Sequence, residues 1–399
     1  MGQRYSVIKA VTKPLALAAM TACGLAAMSP AIAGPVINID KDTFLWLGLY
    51  GRESFTAQEA SAPGGSWSKD FATEEGRLLM YLQAMKFGEK GIVSYELDID
   101  TQNGSSGPTN VKVLDNYIQF EFNDYAKFWV GRFVPPCDRA SMEAPAYTYA
   151  FDFPITTAWQ IAYSNIRDNT AAFWGQVDGG QYKYYFALSN GRRDQVNQSD
   201  DLKYWFRFSA DFLDPEPGYY PSSSYDGAKK IANVGVSYSY QKDGAGNVGL
   251  AGPGIVTSKT FKEFAIDYRY EALDNILGGG GIIDSEGGWY DYDIDHATDT
   301  SGYLVQGHGY FVTAGYAFPK KFGIGKLEPV IGYEQFWRAN TNAVGLQGKQ
   351  QRFEAGLQYL IKGHDIRIDT FWYRLEQDAV GTTPSSGVNG IKMLFVLYL

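Results

Sequence analysis

Residues 202–212 read Leu202-Lys203-Tyr204-Trp205-Phe206-Arg207-Phe208-Ser209-Ala210-Asp211-Phe212. The even positions Leu202, Tyr204, Phe206, Phe208, Ala210 and Phe212 are apolar, while the odd ones include Lys203, Arg207, Ser209 and Asp211. A period of two assigns the two sets to opposite faces of a β-strand, one greasy and one wet. The pattern recurs. Val93, Tyr95, Leu97 and Ile99 oppose Ser94, Glu96, Asp98 and Asp100. Phe264, Ile266, Tyr268 and Tyr270 oppose Glu263, Asp267, Arg269 and Glu271, and Phe353, Ala355, Leu357, Tyr359 and Ile361 oppose Arg352, Glu354 and Gln358.

Sixteen such segments are predicted, at 44–55, 74–86, 91–101, 111–122, 125–134, 167–177, 181–190, 201–213, 229–241, 259–272, 282–292, 303–318, 326–338, 350–361, 364–376 and 389–399. A soluble β-sandwich also alternates, so period alone leaves the class open. Here the apolar face is heavy in Tyr and Phe, and strand follows strand along the whole chain. That favours an all-β, transmembrane antiparallel β-barrel, with the greasy face on lipid and the charged face on a water-filled lumen. Residues 391, 393, 395, 397 and 399 share one apolar face, so a last strand can pair with the first and remove the open edge. Outer-membrane barrels usually finish on Phe or Trp, a habit from which Leu399 departs.

Composition agrees. The 399 residues include 45 Gly, 29 Tyr, 24 Phe and 9 Trp, with 20% charged residues. Residues 1–33 read as a cleaved signal peptide: Arg4, Lys9 and Lys13, an apolar run from Leu15 to Met28, then Ala31-Ile32-Ala33. Removing this leader, which has no acidic residue, takes the net charge from −9 to −12. Residues 34–399 then form one barrel domain. The acidic balance opposes a nucleic-acid partner. Cys137 is the only cysteine after the leader, which excludes an internal disulfide, a thiolate zinc cluster and a Cys-x-x-Cys-His haem attachment. The dispersed His296, His308 and His364 make no metal motif, so no metal and no cofactor is expected.

The connections after segments 2, 4, 6 and 14 are minimal, and the intervening ones are mostly longer. This matches short periplasmic turns alternating with long external loops. One even connection, Asp214 to Ala228, is too long and counts against the register. The longest connection, Pro135 to Ile166, is the third external loop. It is expected to fold inward and narrow the pore, carrying Asp138, Arg139 and Glu143 beside the strand-end residues Arg132 and Arg167. Glu96, Asp98, Lys203, Arg207, Glu263, Asp267, Arg269, Arg352 and Glu354, with Glu271, Arg367, Asp369 and Lys392, would project into the lumen and set a transverse field there. Arg77, Arg132, Arg139, Arg167, Arg192 and Arg193 are candidates for an anion path, opposed by the net charge. Asp291, Asp293 and Asp295 read as a solvated loop start, or at most a Ca²⁺-attracting patch. No Gly-x-Ser-x-Gly elbow occurs, and no serine stands near His308 in its segment, so no catalysis is expected.

Several segments resemble the phosphate-selective porin O and P family of Gram-negative outer membranes. They are Leu114-Asp115-Asn116-Tyr117 through Phe122, Phe128 through Pro135, Tyr182 to Gly191, Gly302 to Gln306 and Gly363 to Arg367. The resemblance implies a sixteen-strand barrel, a homotrimer, an inward third loop, and passive diffusion of small hydrophilic solutes across the outer membrane. The family's Arg and Lys cluster is not repeated here. The sequence therefore points to a diffusion porin with the lipid bilayer and small solutes or ions as its partners. An oxyanion-selective channel and a structural sheath around a partner protein remain the alternatives.

Overall fold

A computed structural model describes residues 34–399 except 104–109, 144–148, 150, 158–165, 193–196, 198, 249–255, 275–278, 296–305, 340–347 and 379–385. The expected leader and Arg193 lie outside these residues. Sixteen strands form the wall: β1 Phe44–Gln58, β2 Ser68–Phe87, β3 Gly91–Asn103, β4 Asn110–Asn123, β5 Ala126–Phe133, β6 Asp168–Val177, β7 Tyr182–Ser189, β8 Lys203–Asp211, β9 Ile231–Val248, β10 Val256–Leu273, β11 Ile282–Asp293, β12 Gly307–Ala317, β13 Gly325–Arg338, β14 Gly348–Lys362, β15 Ile366–Gln377 and β16 Ser386–Tyr398. Each pairs antiparallel with the next, and β16 returns to β1 with Gly390 opposite Gln58 and Tyr398 opposite Tyr50, which closes the cylinder. Two short strands, Val36–Asn38 on β1 and Lys321–Phe322 on β13, lie outside the cycle.

Every predicted segment corresponds to one wall strand. The largest differences lengthen strands at the external end. β2 starts at Ser68 rather than 74, and β9 and β10 continue past a bulge after Gln241, so the predicted loop between them shrinks. Aromatic and β-branched side chains suit the extended backbone, and closure satisfies the N–H and C=O groups an open edge would leave bare.

The two faces separate as the parity requires. Phe206, Phe208, Ile266, Phe353, Phe395 and Leu397 are exposed on the outside, whereas Arg207, Asp267, Arg269, Glu354 and Gln358 are buried in the interior. Phe208 is 51% exposed and Arg207 5%. The interior is not lined by charge alone, however. Tyr117, Trp129, Phe133, Trp174, Tyr185, Ala187 and Trp205 form an aromatic cluster inside β4–β8. Trp205 interrupts the wet face of the 202–212 segment and belongs to this cluster.

Candidate functional site

Two segments enter the interior from opposite ends. The third external loop, between β5 and β6, begins with a short helix, α1 Arg139–Met142, capped by Asp138, whose carboxylate accepts from the Ser141 N–H at 3.0 Å. From the other end comes the long connection between β8 and β9, residues 212–230. This connection is long because it folds into the barrel, where Glu216, Tyr219 and Ser222 to Tyr225 are buried, and its length leaves the strand register intact.

Arg139 joins the two. Its guanidinium donates to both Glu216 carboxylate oxygens at 2.6 and 2.7 Å, to the Ser222 carbonyl at 2.7 Å and to Glu143 at 2.6 Å. Burial alone would raise the Glu216 pKa, but the Arg139 charge outweighs it and pulls the carboxyl down to about 2. At Asp138 burial prevails and pushes the carboxyl above its usual range, while Tyr290 donates to it at 2.9 Å.

The wall holds both segments in place. Arg207 of β8 donates to Asp267 of β10 at 2.6 and 2.8 Å. It also donates to the Cys137 carbonyl at 2.9 Å, and Asp267 accepts from the Arg139 N–H at 3.0 Å. Farther along the loop, Tyr149 donates to Glu328 at 2.8 Å, Tyr292 to the Thr156 carbonyl at 2.9 Å, and Arg352 to the Phe153 carbonyl at 2.8 Å. Glu334 accepts from the Ile155 N–H. Asp152 lies 3.1 Å from Lys392 of β16 and 3.6 Å from Arg52 of β1. The 212–230 segment is tied by Glu271, which accepts from the N–H groups of Tyr225 and Gly227 at 2.8 Å each, and by Gln176, which accepts from that of Gly218 at 2.9 Å.

At its base, Asp226 accepts from His364 in the β14–β15 turn, Nδ1 to Oδ1 2.6 Å, and His364 Nε2 lies 3.3 Å from Glu328, close in charge though not aligned as a hydrogen bond. Gly363 permits this approach. Its φ is +55° and a Cβ there would fall on the Asp226 carboxylate. Burial works against a charged imidazole, but Asp226 and Glu328 outweigh it and hold His364 well above its usual pKa of 6.5.

The predicted residues therefore fall into groups. Asp138, Arg139, Glu143, Arg207 and Asp267 meet around α1. Arg269 pairs with Asp284 and Glu271 and stands 4.6 Å over the Tyr149 ring. Arg352 pairs with Glu334 and Glu354. Lys203 sits over the Trp205 and Phe261 rings at 3.9 and 4.3 Å, and Glu263 accepts from Ser239 at 3.0 Å. Arg167 donates from Nε to both oxygens of Asp115, at 3.1 and 2.9 Å.

Corrections follow. Arg132 pairs in register with Asn116 and Asn169, whose side chains are exposed, so it shares the outward parity of Phe128 and Val130 and does not reach the narrow zone. Many of the charges expected to face a wet lumen instead hold the entering segments. Asp293 and Asp295 are engaged by Lys262 and Lys259 at 3.2 and 3.1 Å, and no metal-holding group occurs among the described residues.

Sequence reasoning missed the 212–230 segment and its seat. The extra length of an even connection was the available signal. Between this segment and β1–β6 an open space remains, with Trp46, Tyr81, Glu96, Asp98, Tyr117 and Tyr220 in its wall. A second, much narrower gap lies by Asp152, Glu334 and Arg352.

A closed sixteen-strand cylinder, apolar outside and polar and aromatic within, defines an outer-membrane β-barrel fold. Solved structures share it at a TM-score of 0.56. The outer membrane channel DcaP of Acinetobacter baumannii is 12% identical, with 92% of this chain and 100% of that chain covered. OmpF of Salmonella typhi, solved as a complex with daunomycin, is 12% identical over 91% and 100%. The trimer form of OmpT, an outer membrane protein of Vibrio cholerae, is 10% identical over 90% and 100%. An uncharacterized protein of Aquifex aeolicus is 22% identical over 275 residues, which cover 64% of this chain and 61% of that protein's length. No family model matches.

Proposed function

We propose that the chain is an outer-membrane porin, a channel for passive diffusion of small hydrophilic solutes and ions, with no catalysis of its own. The observation that carries this reading is the separation of faces: apolar side chains turn outward over the closed wall, and the interior keeps an open space lined by polar and aromatic side chains. A hydrocarbon environment outside and water inside is the arrangement in which such a wall is stable. The third loop and the 212–230 segment together narrow the path, so small conductance steps are expected. A homotrimer is part of the proposal, supported by the trimeric form of one structural neighbour. Purified protein reconstituted in planar bilayers tests the reading, and an absence of stepwise conductance overturns it.

The phosphate-selective reading is less favoured, because Arg77, Arg139, Arg167, Arg207, Arg269 and Arg352 are each engaged by a carboxylate. A sheath around a folded partner is opposed by the two segments that meet inside the barrel.

A further inference from the structure

Several buried carboxylates in the interior pair directly with an arginine or a lysine, as Glu121 does with Lys127, Glu216 with Arg139 and Asp267 with Arg207. Asp98 does not. It is 6% exposed, it has no hydrogen bond or ion pair with any described residue, and its Oδ1 is fully enclosed. It lies on β3 opposite Asp115 of β4 and lines the open space between the 212–230 segment and the wall. Two residues away on the same face, Glu96 accepts only from neutral donors, Tyr117 Oη at 2.6 Å and Gln119 Nε2 at 3.2 Å.

The cations of that wall are already engaged. Arg167 pairs with Asp115, and Arg77 pairs with Glu75 at 3.0 Å and reaches Asp100 at 4.0 Å. Around the two carboxylates stand Trp46, Tyr81, Tyr117 and Tyr220, with the Tyr220 hydroxyl unpartnered. Both arginines act on Asp98 only from a distance, each committed to another carboxylate. An enclosed carboxylate with no direct partner is costly, and rings beside it attract a cation through their faces.

We propose that this space is a binding site for an organic cation, a primary ammonium or guanidinium group on an apolar or aromatic body. Its charged end would meet Asp98 and Glu96 and its body the rings. An inorganic cation has no body to lay on the rings, an anion would meet carboxylates that outnumber the two arginines beside them, and a neutral alcohol would leave Asp98 without a direct partner. The site rests on the porin reading in one respect only, that the interior is reached from water.

The test uses benzylammonium, benzyl alcohol and benzoate as probes. Calorimetric titration of the purified protein in detergent micelles at low salt is expected to show benzylammonium binding, with the alcohol and benzoate at least about tenfold weaker. Asp98→Asn and Glu96→Gln are each expected to weaken benzylammonium about tenfold or more. Folding of both variants is checked by heat-dependent gel mobility, and if Asp98→Asn fails to fold, Glu96→Gln decides. Equal binding of the alcohol, or benzylammonium affinity unmoved by the substitutions, overturns the site. Bilayer recordings separate the two readings. Conductance steps without benzylammonium binding overturn the site and leave the porin, whereas binding without conductance supports the site and removes the porin.

Discussion

Arg207 and Asp267 face each other across a strand that separates them. They belong to β8 and β10, and their doubly hydrogen-bonded pair passes over Gly235 of the intervening β9, which pairs in register with Asp267. A Cβ on Gly235 would fall on the Arg207 Nη2 and the Asp267 Oδ1. The missing side chain is what allows two strands that are not neighbours to hold the Cys137 carbonyl and the Arg139 N–H together.

Gly235→Val is therefore expected to displace the pair and loosen the start of the third loop, at a cost of roughly 1–3 kcal/mol. Hydrogen exchange at residues 137–143 checks it. Protection equal to that of the parent protein would show that the pair does not depend on the open position.

Arg139→Gln removes a charge that serves Glu216 and Glu143 together. Leaving buried carboxylates without their partner costs about 3–5 kcal/mol, and single-channel conductance is expected to rise as the two segments separate. A double-mutant cycle with Glu216→Gln is expected to show coupling above about 1 kcal/mol. By contrast Arg132→Ala, on the outer parity, is expected to leave conductance unchanged. A conductance that responds to Arg132 and not to Arg139 would reverse the placement of the narrow zone.

The Asp226 and His364 contact gives the 212–230 segment a pH dependence. His364 is raised by Asp226 and Glu328, with Asp365 beside it in sequence and the Arg367 guanidinium on its carbonyl at 3.0 Å. Its contribution is complete below its ordinary value of 6.5 and is lost as pH rises through the elevated folded value. For Asp226, burial opposes ionisation but His364 prevails and lowers its pKa. That contribution is present above the ordinary 3.8 and is lost as pH falls through the depressed value. Exchange protection of residues 212–230 should decline in alkali in the parent protein, and His364→Gln should lower it at neutral pH. A profile identical in both proteins would refute the assignment.

Tyr219 stacks on Trp129 with ring centroids 4.6 Å apart and meets Trp174, Phe133 and Tyr185 edge-on. Tyr219→Ala is expected to destabilise the barrel by about 3–5 kcal/mol through the cavity it leaves. Thermal unfolding followed by gel mobility measures it, and a shift in the midpoint too small to resolve would contradict the packing.

The strands were legible because lipid on one side imposes a strict period of two, visible in Phe206 and Phe208 against Arg207 and Ser209. The interior was less so. Trp129, Trp174 and Trp205 occupy inward positions because the 212–230 segment supplies Tyr219 to pack on them, a partner that no local pattern announces. The third loop was legible from its length, and Arg139 from its place in that loop. The role of Arg139 depends on Glu216, 77 residues onward, and became visible only with both segments inside the wall.

Asp152 of the third loop reaches Lys392 on the last strand and Arg52 on the first, the two strands whose meeting turns a ribbon into a tube. One carboxylate thus clasps the seam from within. The ends of the ribbon and the crossbar inside it share one negative charge, so the seam carries a contact to the third loop as well as its own ladder of hydrogen bonds.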